Sequence, residues 1–177
     1  MEIRMLEPAD AAKFRALRLK ALREDPNSFM RNLKEEELLS EPEFGLMTSS
    51  NEPPTRRFVI GAFEDGRLFA TCGFRRLGQM NLRHKGELWA VYVDPEGRGK
   101  GVGRQVMTAC LEAVRRVPGL ERINVYAAGA AARDFYRRFG FESFGLEKKA
   151  KKIGDHYSDL EYMALELTEA PCSEHCD

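Results

Sequence analysis

Arg98-Gly99-Lys100-Gly101-Val102-Gly103 is the stretch whose residue types and spacing bear most directly on chemistry. A strand-like apolar run over 88–93 leads into it, and a helical pattern over 104–117 leads out. Glycines between a strand and a helix let several backbone N–H groups turn the same way. With the positive end of the helix dipole they form a site for phosphate. A phosphorylated cofactor is therefore the expected occupant. Two common motifs fail on spacing. No Gly-Lys pair is followed by Ser or Thr as a P-loop requires, and G-x-G-x-x-G counted from Gly97 or Gly99 ends on Val102 or Arg104. What remains is R-x-x-G-x-G at Arg98, Gly101 and Gly103. A tight glycine turn without a ligand is the competing reading.

The elements that must hold this turn are legible on either side of it. Residues 2–6 read as an opening strand. Pro8 suits a first helical turn, and Phe14, Leu17 and Ala21 recur at helical spacing, with a stop before Pro26. Residues 27–55 carry the weakest pattern, with a short helix expected over 34–40 and a loop over 49–55. Strands at 57–63 and 67–76 are joined by Glu64-Asp65-Gly66, whose Asp-Gly pair signals a hairpin. A strand at 86–93 feeds the glycine turn. Val102, Val106, Cys110, Ala113, Val114 and Val117 then mark a helix that Pro118-Gly119 stops. An alternating strand at 122–127 precedes a helix with Ala132, Phe135, Tyr136 and Phe139 at i, i+3, i+4 and i+7, ended at Gly140. Strands at 141–147 and 159–167 close the chain. This order predicts an α/β fold, a single-domain mixed and mostly antiparallel sheet with helices on both faces.

At 177 residues the chain suits one domain, over 1–167, followed by a polar tail at 168–177 expected to be disordered. The 28 basic and 28 acidic residues balance, so charge gives no case for a nucleic-acid partner. The apolar runs near 58–63 and 88–93 are too short to span a bilayer, which argues against a membrane partner. No charged segment followed by an apolar one opens the chain, so a cytoplasmic location is the expectation. Cys72 and Cys110 fall in a strand and on an apolar helix face and read as small buried hydrophobes. Cys172 and Cys176 flank His175 in the tail. Without a fourth ligand or a rigid frame these suit a frayed end, and no metal is expected.

With the glycine turn, its strand and the later helix in view, the chain resembles the GNAT superfamily of acetyl-CoA-dependent N-acetyltransferases. The resemblance runs over nearly the whole chain, 3–167. It is carried by Arg98-x-x-Gly101-x-Gly103 after Val91-Tyr92-Val93-Asp94-Pro95-Glu96, and by Ala132-Arg133-Asp134-Phe135-Tyr136-Arg137-Arg138-Phe139-Gly140-Phe141. It implies that backbone N–H groups of Gly99, Lys100, Gly101, Val102, Gly103 and Arg104 hold the diphosphate of coenzyme A. It implies also that main chain at Val91, Tyr92 and Val93 pairs with the pantetheine arm like an added strand, where two strands splay apart. Arg98, Lys100 and Arg104 add positive charge there, or are ordinary solvated surface.

Acetyl transfer to nitrogen needs a neutral amine, whereas an alkyl ammonium such as that of lysine loses its proton only at about pH 10.4. The site must remove a proton, stabilise an oxyanion and protonate a leaving thiolate. The resemblance places Tyr136 where these enzymes commonly carry a tyrosine whose hydroxyl meets the departing sulfur; a core aromatic is the alternative. Glu87, eleven residues before Arg98, matches the spacing of the glutamate base in the superfamily's histone acetyltransferases. If Leu88 faces the core, Glu87 faces the other way; a solvated strand residue is the alternative. Asn124 stands where other members place a glutamate and cannot act as a base. Gly129 replaces an asparagine that touches the cofactor in many relatives.

The acceptor is expected to be a small-molecule or peptide amine. The region 25–44 shapes the acceptor site in this superfamily. Here Glu35, Glu36, Glu37, Glu41 and Glu43 bias it toward a cationic amine, unless they form a solvated helix face. The segment 148–162 is expected to form a hairpin over the acceptor end, with His156 or Tyr157 near the cleft. A homodimer fits the family's habit. A non-catalytic acyl-CoA-binding sensor or regulatory module is the rival function; it would keep the glycine turn and lose the acid and base.

Overall fold

In a computed structural model, which describes residues 1–50 and 56–167, the chain runs through these elements. They are β1 (Glu2–Met5), α1 (Ala11–Glu24), α2 (Leu33–Glu37), α3 (Glu41–Thr48), β2 (Ser49–Ser50), β3 (Arg57–Glu64), β4 (Arg67–Arg76), β5 (Lys85–Val93), α4 (Val102–Arg115), β6 (Arg122–Ala127), α5 (Ala130–Arg137), β7 (Glu142–Ile153) and β8 (His156–Glu166). The strands form one sheet in the order β1-β3-β4-β5-β6-β8-β7, with β2 also on β3. Every pairing is antiparallel except β5 with β6. The mixed, mostly antiparallel α/β sheet expected from the sequence is therefore observed.

Alternation along β3 builds the two layers. Phe58, Ile60 and Ala62 join a core beneath α4, whose Val106, Met107, Cys110 and Val114 are buried. Val59 and Phe63 join a second core on the opposite face, with Phe14, Leu17 and Leu22 of α1 and Phe44 of α3. Cys72 and Cys110 lie in the first core as free thiols. The Asp65-Gly66 turn takes positive φ at both residues, 50° and 77°, as a two-residue hairpin demands.

Two departures from regularity shape the middle of the sheet. Thr71 and Gly73 of β4 pair with Tyr92 and Trp89 of β5, so β5 carries one extra residue there. Ala90 absorbs it in a left-handed conformation, φ 49°. Ala90 and Trp89 consequently both lean toward the α1 side, while Val91 and Val93 turn to the α4 side. Second, β5 pairs with β6 only where Lys85, Gly86 and Glu87 meet Arg122, Ile123 and Asn124. Beyond that point the two strands part, as the resemblance implied.

The sequence reading missed α3. Its signals are muted because Pro42 sits in its first turn and Gly45 inside it, where that glycine packs near Pro8 and Ala11. A Glu43 carboxylate that accepts the backbone N–H and hydroxyl of Ser40 at 2.7 Å starts the helix. The helix expected over 34–40 is shorter, Leu33–Glu37, and is capped by Asn32. The loop expected over 49–55 begins instead as β2, and 51–55 lie outside the described residues. The closing strands are longer than expected and turn at Gly154-Asp155. The tail 168–177, with Cys172, His175 and Cys176, also lies outside the described residues. Among those residues no helix is long and apolar enough to cross a membrane.

Asp94 fixes the end of β5. Its buried carboxylate accepts from Lys20 of α1 at 2.7 Å, Arg67 of β4 at 3.1 Å and the Glu96 N–H at 3.3 Å. Burial alone raises this carboxyl, but the hydrogen bonds from Lys20 and Glu96 and the charges of Lys20 and Arg67 outweigh it and hold it below the usual carboxylate range. A carboxyl held lower in the folded than in the unfolded chain contributes stability above its unfolded value, about 3.9, and loses it as pH falls through the folded value. We expect Asp94→Asn to lower the unfolding free energy at neutral pH by about 2 kcal/mol. It should also flatten the acid limb of stability against pH in urea titrations; an unchanged limb would contradict the assignment.

Candidate active site

The glycine turn has the form its sequence suggested. Gly99 and Gly101 sit at φ 76° and 74°, and a Cβ at either would point into open space, so backbone conformation alone selects glycine there. Gly101 is the N-cap of the 14-residue α4 and supplies no side-chain acceptor. The first N–H groups of α4 are thus left for another partner, at the positive end of the helix. At Gly103 the space is tight instead, since a Cβ there would lie 3.3 Å from the Val93 side chain and 3.5 Å from that of Phe135. Val102 is buried in the α4 core, and Lys100 and Arg104 are exposed. Exposed N–H groups, open space and surrounding positive charge fit a diphosphate.

Arg98 has a more structural place than its charge suggested. Its Nε donates to the Val93 carbonyl at 3.0 Å, and its guanidinium lies over the Tyr92 ring at 5.9 Å. The Tyr92 side chain turns away into the α1 layer, where its hydroxyl donates to Glu24 at 2.6 Å. Burial first, and Glu24 second, push that hydroxyl well above its ordinary value. The Val93 carbonyl and the Tyr92 side chain are thus both engaged, while β6 pairs with β5 only as far as Glu87.

A cavity of about 180 Å³ opens at this parting. Glu87, Trp89 and Val91 of β5, Tyr126 of β6 and Tyr136 of α5 line it. Glu87 is buried. Its Oε2 accepts from Arg75 Nε at 3.0 Å and Nη2 at 2.7 Å, and its Oε1 accepts from the Tyr126 hydroxyl at 3.0 Å. Burial, with the Glu87 charge and hydrogen bond next, pushes the Tyr126 hydroxyl up to about 12. Tyr136 is both a core aromatic, edge-on to Phe135 at 5.5 Å, and a wall of the cavity. Burial raises its hydroxyl far above the ordinary value, and Cys72 adds to this. The two residues singled out from sequence, Glu87 and Tyr136, thus line one cavity, whose lining does not include the glycine turn.

Asn124 does not share the cavity; its Oδ1 accepts from Arg122 at 3.1 Å. The β6 residue that bonds Glu87 is Tyr126, two residues on and on the same strand face, which the alternation of β6 would have revealed. Gly129, at φ 88°, caps α5 with open space about it.

The acidic bias of 25–44 does not reach the cavity as free negative charge. Glu36 is buried against Arg18, both oxygens accepting at 2.8 Å. Glu37 faces Arg23 at 3.3 Å and Glu43 caps α3, while Glu35 and Glu41 are exposed. The cavity instead holds four guanidinium groups, Arg18, Arg31, Arg57 and Arg75, against the carboxylates of Glu36 and Glu87. His156 and Tyr157 are exposed and line no part of it. The β7–β8 hairpin reaches the site differently. Lys151 Nζ donates to the carbonyls of Pro26 at 2.8 Å, Asn27 at 3.0 Å and Phe29, clasping the segment that forms one wall.

Known proteins resemble this chain in sequence and in fold. The mycothiol acetyltransferase of Propionibacterium freudenreichii subsp. shermanii is 30% identical over 146 residues, covering 76% of this chain and 46% of that protein. The chain spans about half the length of the curated relatives it matches. A GNAT-family acetyltransferase from Streptococcus pneumoniae superposes with a TM-score of 0.80 at 21% identity, covering 94% of this chain and 99% of the other. The putative acetyltransferase yncA from Salmonella typhimurium, solved with its cofactor acetyl-CoA, superposes with a TM-score of 0.75 at 21% identity and 99% coverage of both. Residues 19–141, from within α1 to the end of the Tyr136 motif, match the family described as acetyltransferase (GNAT), and the chain belongs to that family.

Proposed function

We propose that this chain transfers an acetyl group from acetyl-CoA directly to a primary amine. The observation that carries the reading is the sharing of one cavity by a buried tyrosine, Tyr136, and an oriented carboxylate, Glu87, on the strand that leads to the uncapped N-terminus of α4. Acetyl-CoA supplies the acetyl group as an activated thioester. The Salmonella neighbour, of the same fold, was solved with acetyl-CoA as its cofactor.

The chain's own residues then have separable tasks. N–H groups from Gly99 to Arg104 hold the diphosphate, and main chain at Val91, Tyr92 and Val93 orients the pantetheine arm. Arg75 and Tyr126 fix the Glu87 carboxylate by three hydrogen bonds, so that it faces the incoming ammonium in one orientation. Glu87 takes the amine's proton, directly or through the Tyr126 hydroxyl that already donates to it. Tyr136 is too weak an acid to lose its proton early. It donates a hydrogen bond that strengthens as charge builds on the departing sulfur, whose thiol form titrates near about 8.5. Two free buried thiols, Cys72 and Cys110, suit a reducing compartment such as the cytoplasm.

Thiol release with acetyl-CoA across a panel of amines tests the reading. Binding of acetyl-CoA with no turnover of any amine would favour a non-catalytic binding module. We expect Tyr136→Phe to lower kcat by at least about tenfold with calorimetric acetyl-CoA affinity nearly unchanged; normal turnover removes Tyr136 from the chemistry. We expect Glu87→Gln to lower kcat/KM by about a hundredfold at neutral pH. Its pH–rate profile should climb to higher pH, because the variant depends on amine already deprotonated in solution. An unshifted profile would assign the proton transfer to another group. Tyr126→Phe should give a smaller loss, about tenfold, with the same direction of shift.

A further inference from the structure

The cavity wall holds positive charge for which the transfer step has no use. Two nitrogens of Arg18 are engaged by Glu36 at 2.8 Å, but Nη1 is buried without a partner among the described residues. Arg18 is 6% exposed and its guanidinium lies over the Phe29 ring at 4.6 Å, so water does not readily serve it. Arg31, in the segment before α2, and Arg57, on β3, line the same cavity and meet no carboxylate among the described residues. Burial, with Arg75 and Arg31 as like-charged neighbours, holds the Arg57 guanidinium below its ordinary value. Both carboxylates of the cavity are already answered, Glu36 by Arg18 and Glu87 by Arg75. Two positive charges therefore remain over. A cluster of like charges beside apolar walls favours an anion that satisfies it, and the planar fork of arginine matches a carboxylate.

We infer that the acceptor is a small amine that itself carries a carboxylate, an amino acid or a close analogue. Its carboxylate is read by Arg31 and Arg57 with Arg18 Nη1, and its amino group is turned to Glu87. The inference depends on the acetyl-transfer reading and deepens it. It reverses the expectation of a cationic acceptor, because the acidic residues that suggested one are paired or lie on the surface. A cavity of about 180 Å³ suits a small molecule. The same oxyanion chemistry is also available on the acyl chain of a dicarboxylic acyl-CoA, which the test separates.

The experiment compares the protein α-amino acids, β-alanine and γ-aminobutyrate with their carboxamides, with spermidine and with a short peptide bearing a free N-terminus. Donors are acetyl-CoA and succinyl-CoA, and the readout is thiol release. Binding is followed in parallel by calorimetry for acetyl-CoA and by emission of Trp89, the single tryptophan, for the amines. At least one amino acid should exceed its carboxamide in kcat/KM by about tenfold or more, because a site built to bond a group rejects the analogue that lacks it. That ratio should fall by about tenfold in Arg57→Gln and in Arg31→Gln, with acetyl-CoA affinity retained. Arg31 is exposed, so its variant remains informative if Arg57→Gln misfolds. Carboxamides, spermidine or the peptide serving as well as the amino acids would overturn the inference and leave acetyl transfer standing. So would a discrimination ratio unmoved by either variant. A preference for succinyl-CoA that is lost in Arg57→Gln would assign the anion to the donor. Millimolar amino acids that neither turn over nor perturb Trp89 emission also overturn it. Absence of heat with acetyl-CoA strikes instead at the transfer reading, and amino-acid-dependent Trp89 emission would then still support the anion site.

Discussion

The parting of β5 from β6 after a three-residue parallel contact is the constraint on which the remainder of the site depends. A strand edge inside a sheet leaves N–H and C=O groups unmatched, and buried backbone groups demand partners. Here the demand faces a gap, not a neighbouring strand. The bulge at Ala90 makes the gap usable by reversing which residues face which layer, so that Trp89 and Ala90 pack toward α1 while Val91 turns to α4. Glu87 is the last residue of β5 before the parting, Tyr126 lies just across it, and the glycine turn stands at its far end. The groups proposed to react are assembled by a pairing that stops early.

Buried charge holds these parts in register. Three of the buried carboxylates are each met by a cation from another element around the site: Glu36 by Arg18, Glu87 by Arg75, and Asp94 by Lys20 and Arg67. The first ties α2 to α1. The second ties β5 to β4 across a register pair, and the third ties the end of β5 to both α1 and β4. Such pairs contribute little net stability against apolar replacements, but breaking one leaves an uncompensated charge. Their arrangement makes the position of Glu87 and of the glycine turn hard to shift separately.

Much of this was legible in the sequence where one local rule decides the outcome. Asp65-Gly66 specifies its hairpin, the apolar spacing from Val102 to Val114 specifies α4, and Arg98-x-x-Gly101-x-Gly103 specifies a turn with free N–H groups. Legibility failed where the outcome depends on pairing across distance. Glu36 looked like one of several solvated acids, and only its contact with Arg18, eighteen residues earlier, removes it from solvent. Arg18, Arg31, Arg57 and Arg75 lie on four separate segments and have no common spacing, so their convergence in one cavity belongs to the tertiary fold. α3 was hidden by Pro42 and Gly45, two residues that discourage a helix unless capping and a packing surface support it, as Ser40 with Glu43 and Phe44 do here.

The clasp of Lys151 on the carbonyls of Pro26, Asn27 and Phe29 separates two inheritances within one small domain. On the proposed reading, donor handling rests on the sheet and on α4, where most substitutions would disturb the core. Acceptor choice then draws on this surface segment through Arg31, together with Arg18 and Arg57 behind it. Descendants of such a chain can acquire new substrates by exchanging residues in that segment and its clasp, while the machinery that presents the acyl donor passes on unaltered.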